Sequence, residues 1–161
     1  MSAIRAGQIA TGLLACVTAR LTALQRPVRH ASVYHGRQPP PMEHCDCHHR
    51  PGSPPGRGHA WARVAQIDAE ASTKQLDVRT WWATIQLGIY RCVPMTDDGA
   101  PQDLAEQTAQ ANALLVDASA LIHVVECCAA VEDRRVKVQP WTPVGPSGGC
   151  AGGTMTLYVE L

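Results

Sequence analysis

The chain is 161 residues long, enough for one domain with a real hydrophobic core and short for two. Its 14 basic and 14 acidic residues cancel and form no like-charge block, which argues against electrostatic capture of nucleic acid or an anionic membrane. With no Phe, core volume must come from Leu, Val, Ile, Ala and four indoles, Trp61, Trp81, Trp82 and Trp141.

Residues 3–25 read as a helix, because Ala6, Ala10, Leu13, Val17, Leu21 and Leu24 recur at spacings of three and four. Pro27 ends it, and Val33 and Tyr34 suggest a short strand over 28–35. Residues 36–58 hold six prolines and four glycines, which weaken both element types, so a loop or arm is expected there. A weakly alternating strand over 59–68 follows, then a polar stretch over 69–79 that is expected to cross between strands. Residues 81–91 alternate cleanly, with Ala83, Ile85, Leu87 and Ile89 on one face.

Pro94 and the run Asp97, Asp98, Gly99 stop that strand, and Pro101 opens a helix with Asp103 and Glu106 in its first turn. The helix should reach about residue 130, roughly 40–45 Å at 1.5 Å per residue. Leu104, Thr108, Ala111, Leu115, Ala118, Ile122 and Val125 form a stripe expected to pack on the face of Ile85, Leu87 and Ile89. A short strand over 135–139 should turn Val136 and Val138 inward, and residues 140–153 read as a Gly/Pro loop. The chain closes on a strand in which Met155, Leu157, Val159 and Leu161 alternate with polar residues. Strands on both sides of a long helix in sequence predict one α+β domain over 1–161, a sheet with helices packed on it, carrying the 36–58 arm.

No apolar run approaches the ~20 residues of a membrane helix. Arg5 ahead of an apolar 9–17 stretch resembles a weak signal peptide, and Leu13, Leu14, Ala15 and Cys16 resemble a lipoprotein cleavage box. Thr11 and Gly12 interrupt that stretch, so the seven cysteines are expected reduced, with Cys16, Cys92, Cys127 and Cys128 as small buried apolar residues.

Cys45, Cys47, His48 and His49, with His59 nearby, are ligand types that zinc prefers. Their spacing is poor, since Cys-x-Cys departs from the finger pattern and no second pair follows at a standard distance, so no metal is expected, and pairing of Cys45 and Cys47 with distant thiols, or free thiols, are the alternatives. The glycine-rich 145–153 loop opens a strand rather than a helix and carries no Lys, unlike a phosphate loop. No Ser sits in Gly-x-Ser-x-Gly, and His123 with Cys127 shares a helix face without an oxyanion site. No convergent catalytic set emerges, which predicts a non-enzymatic chain without a cofactor.

Three stretches together carry a resemblance. The first is 82–92, Trp-Ala-Thr-Ile-Gln-Leu-Gly-Ile-Tyr-Arg-Cys, followed by Pro94, Asp97 and Asp98; the second is Ala105, Glu106, Gln107 and Thr108. The third and most specific is 141–153, Trp-Thr-Pro-Val-Gly-Pro-Ser-Gly-Gly-Cys-Ala-Gly-Gly. Over residues 60–161 the chain resembles head–tail junction proteins of long-tailed, siphovirus-type actinobacterial phages, and among them the tail terminators. Cys45, Asp46 and Cys47 resemble a cysteine-rich turn of that group, with Pro, His and Gly residues inserted here.

The resemblance implies a mixed, mostly antiparallel β-sheet flanked by an N-terminal helix and one long helix. It also implies a hexameric homo-oligomeric ring in the virion neck, assembled in the host cytoplasm. Such a ring stops growth of the tail tube and joins it to connector or stopper proteins, with DNA passing through and no membrane or sequence-specific nucleic acid bound. Trp141, Pro143, Gly148 and Gly149 are the implied interface residues. The alternatives are an adaptor or stopper of the same neck, a zinc or cysteine enzyme built on 44–59, and an exported lipoprotein using Cys16.

Overall fold

The computed structural model describes residues 2–45, 58–71, 78–93, 103–147 and 149–161. The elements run α1 (Ser2–Ala23), β1 (His30–His35), a 3₁₀ turn (Met42–Cys45), β2 (His59–Ala71), β3 (Val78–Cys92), α2 (Leu104–Cys127), β4 (Val136–Val138), β5 (Thr142–Ser147) and β6 (Cys150–Glu160). Six strands form one sheet in the order β1-β2-β3-β6-β4, with β5 also paired to β6. β1 lies parallel to β2 and every other pairing is antiparallel. The fold is α+β, with a mixed, mostly antiparallel sheet, an N-terminal helix and one long helix.

α1 forms where expected, and Ala6, Ala10, Leu13, Val17 and Leu21 are buried along it together with Ile9 and Leu14. It stops because Gln25 takes a positive φ of 58° while the Arg26 N–H reaches back to the Leu21 carbonyl at 2.8 Å. The helix lies over β1, β2 and β3. Beneath it, Ala60, Ala62, Ala83, Ile85, Leu87, Ile89, Met155, Leu157 and Val159 make the sheet's inner face. The strict alternation of β3 and β6 places every second residue there, which is why both strands were readable.

Four expectations change. Residues 69–79 do not cross over: β2 continues to Ala71 and β3 begins at Val78, so the two strands form one long antiparallel hairpin, paired Ala69 to Trp81 and Glu70 to Thr80. Part of that polar stretch thus belongs to paired strand ends, while 72–77 lie outside the described residues. Residues 140–153 are not a loop either. β5 folds back on β6 and pairs Thr142 with Thr154 and Ser147 with Cys150. Close strand approach is what the glycines allow, since a side chain on Gly152 would strike the Ile89 carbonyl. In β4, Val136 packs on the core but Val138 is exposed.

The largest change concerns α2. Much of the expected inward stripe faces water, with Leu104 77%, Leu115 57% and Ile122 49% exposed, while its Ala118 is buried and its Val125 half-buried against the core. The buried side is Asp117, Ala118, Ala120, Leu121 and Val124, followed by Cys128. The three-four spacing picked out the stripe through Leu104 and Leu115 and carried no sign of Asp117's partners. That acid is paired by two arginines, so its side of the helix can be buried.

The cysteines also depart from expectation. Cys16 is bonded to Cys128 and Cys45 to Cys150, across sequence separations of 112 and 105 residues. Cys92 is disulfide-bonded as well. Cys127 keeps its thiol and is exposed, not packed in the core.

Candidate functional site

Among the described residues, helices cover one of the sheet's two faces. On the other, the β1–β2 connection brings Met42 and Cys45 across one end, where they close a second, smaller core with Trp61, Tyr90 and Cys150. Trp61 lies flat over Gly88, where any side chain would meet the indole, and its ring stands 5.6 Å from that of Tyr90. Burial pushes the Tyr90 phenol above its usual range. Beside this core the Tyr34 ring meets His59 at 5.8 Å. Arg63 donates to Gln86 Oε1 at 2.7 Å and to the Gly36 carbonyl at 3.3 Å, which ties the start of the 36–58 segment to the sheet.

The remaining half of this face is open. Trp82, Tyr158, Lys137, Asp68 and Gln139 surround a shallow cavity of about 440 Å³. Arg135 and Lys137 sit 5.5 and 5.3 Å from the centre of the Trp82 ring, close enough for cation–π attraction. Arg135 also makes a bidentate pair with Glu160 and holds that carboxyl below its usual range. The cations over Trp82 are thus part of a connected surface network and leave the indole face occupied.

A third polar cluster is buried under the helices. Arg26 Nε and a terminal nitrogen each donate to Asp117 at 2.9 Å, and Arg91 does the same at 3.0 Å. Arg91 also donates to the carbonyls of Arg26 at 2.7 Å and Pro27 at 3.0 Å. The Asp117 bond raises Arg26 above its usual value, so the guanidinium stays charged. The cluster joins the end of α1, the end of β3 and the middle of α2. Composition could not show it, since its members lie 26 and 91 residues apart in sequence.

The residues singled out from sequence are scattered. Cys45 is fully buried and its sulfur is bonded to Cys150, so it offers no thiolate to a metal. Cys47, His48, His49 and Gly148 lie outside the described residues. Among the described residues no group of three His, Cys, Asp or Glu converges on one point. Trp141 is half-buried with its indole against Gly153, and Pro143 is exposed on β5. Gly149 is buried at φ 77°, where its carbonyl accepts from the Val93 N–H at 2.8 Å, so it shapes the turn into β6. His123 Nδ1 and Cys127 Sγ stand 3.8 Å apart on the helix surface. Cys16 is bonded to Cys128, and Ala6, Ile9, Ala10, Leu13 and Leu14 before it are buried in the core.

What the geometry offers is therefore surface rather than a cleft: an exposed apolar stripe on α2, the open polar sheet face, and the exposed strand β5. No protein-family model and no curated protein sequence matches the chain.

Proposed function

We propose that the chain is a structural subunit of a phage neck: a tail terminator that forms a hexameric ring on the last ring of the tail tube. It stops tube polymerisation and joins the tube to the head connector or stopper. The observation that supports this reading best is that the molecule reaches beyond its own core in two directions. The first half of α2 and the far end of the β2–β3 hairpin both leave apolar residues uncovered, as a subunit built for neighbours requires. The mixed sheet with two helices on one face also agrees with the fold the sequence resemblance implies. The strand β5 exposes Pro143, with Trp141 half-buried just before it, within the stretch on which the resemblance chiefly rests.

The disulfides fit this life cycle in two stages. Cytosolic thiols stay reduced, whereas a released virion meets an oxidising medium. Subunits would assemble reduced in the host cytoplasm and close Cys16–Cys128 and Cys45–Cys150 afterwards.

A phage lacking this protein should make filled heads without tails, together with tubes of uncontrolled length. Supplying the protein late should cap the tubes and restore joining. Tails of normal length in its absence would instead favour the adaptor or stopper role.

A further inference from the structure

α2 is bonded to the body at Asp117 and Cys128 in its second half, and in its first half Gln110, Ala113 and Leu114 are half-buried. Asp117 is bonded to Arg91, at the end of β3 where Cys92 faces Cys150, and Cys128 is bonded to Cys16 near the other end. Residues 104–116 therefore run about 20 Å beyond the level of Asp117 at 1.5 Å per residue. Residues 103–109 are exposed on every side. A helix segment of this length, about 13 residues, is marginal in water without packing. Its stripe of Leu104, Ala111 and Leu115 continues into Ile122, and Glu106 is the one charge within 104–116.

At the opposite end of the molecule the β2–β3 hairpin extends past β1, whose last pairing is His35 with Val64. On the helix side of that extension lie Ile67, Ala69 and Trp81, with Leu161 bonded through its N–H to the Trp81 carbonyl at 2.8 Å. Trp81 is 41% exposed there.

We infer that the first half of α2 docks on the Trp81 end of a second copy of this chain. This deepens the ring reading above and rests on it for the closure of the contact. One contact covers both apolar surfaces, whereas pairing two α2 helices would leave Trp81 bare. The two surfaces sit at opposite ends, so the contact is head-to-tail and repeats, as a ring demands. The incoming helix lands on the helix side of the sheet and so extends that layer. Depletion of charge on the helix and a tryptophan at the receiving end match the composition of interface cores. By length and composition α2 would also suffice to cross a bilayer. Asp117 in its middle, bound to two arginines, and the packing of its second half keep it on the body.

The test uses the full-length protein. Leu115→Asp and Trp81→Ser should each weaken self-association at least tenfold in sedimentation velocity, with far-UV circular dichroism unchanged. An equimolar mixture of the two should form a dimer, because each copy keeps one intact half of the contact. A photo-cross-linker in place of Leu115 should capture a peptide containing Trp81, which keeps the contact testable even if a variant misfolds. Capture of a peptide within 104–127 would overturn the inference. So would variants that assemble like the parent, a mixture that stays monomeric, or a parent that remains monomeric and floats with phosphatidylglycerol vesicles. Rings that persist in Leu115→Asp defeat this contact alone, whereas normal tails without the protein defeat the terminator reading and leave the self-association result standing.

Discussion

Asp117 accepts hydrogen bonds from two guanidinium groups in a site closed to water, and Arg91 is itself buried. Asp117→Asn keeps the shape but leaves Arg91 with an uncompensated buried charge, which costs about 3–5 kcal/mol. Urea denaturation should show that loss. Arg26→Gln should cost much less, since the Arg26 side chain is partly hydrated and Arg91 still neutralises the acid. An equal loss in both variants would mean that Arg26 and Arg91 share the pairing evenly. Gly88 poses a steric question: a methyl group there must displace the Trp61 indole. Gly88→Ala is expected to cost about 1–3 kcal/mol and to change the near-ultraviolet tryptophan signal while far-ultraviolet dichroism persists.

At the scale of elements, α2 has two apolar stripes and only one is used inside the subunit. Leu121 is buried on the inner stripe, so Leu121→Asp should unfold the chain, because an unpaired buried charge costs several kcal/mol. Leu115→Asp, on the outer stripe, should change the urea midpoint little, a surface substitution being within about 0.5 kcal/mol. If Leu115→Asp unfolds the subunit and Leu121→Asp does not, the inward face of α2 is the other one. The disulfides act at the same scale. Cys16–Cys128 clamps α1 to the end of α2, and Cys45–Cys150 clamps the β1–β2 connection to β6. Each closes a loop of over a hundred residues, for which chain entropy predicts about 4–5 kcal/mol in the oxidised protein. Tris(carboxyethyl)phosphine should therefore lower the urea midpoint sharply. Alkylation without reductant should label Cys127, and reduction should add the disulfide-bonded cysteines, Cys16, Cys45, Cys92, Cys128 and Cys150 among them.

At the scale of the whole molecule, local periodicity was enough for α1, β3 and β6, because each repeats its apolar residues against a single surface with no competing stripe. The same logic bounded the α+β class and the long second helix. It could not choose between the two faces of α2, since a period records that a stripe exists and not what meets it. That choice waited on Arg26 and Arg91, which arrive from distant segments and make burial of Asp117 affordable. Nor could spacing assign the cysteines: Cys45 beside Cys47 suggested a ligand pair, while its actual partner lies 105 residues away and meets it only once β6 is beside β3. Polar residues at 69–79 and glycines at 145–153 resembled loops because water and close backbone approach were not distinguishable without the neighbouring strand. The sequence alone determined what short-range repetition encodes, namely the type and place of most elements. Only the tertiary structure decided which surfaces are buried within the chain and which stay exposed, because burial depends on groups far apart in sequence.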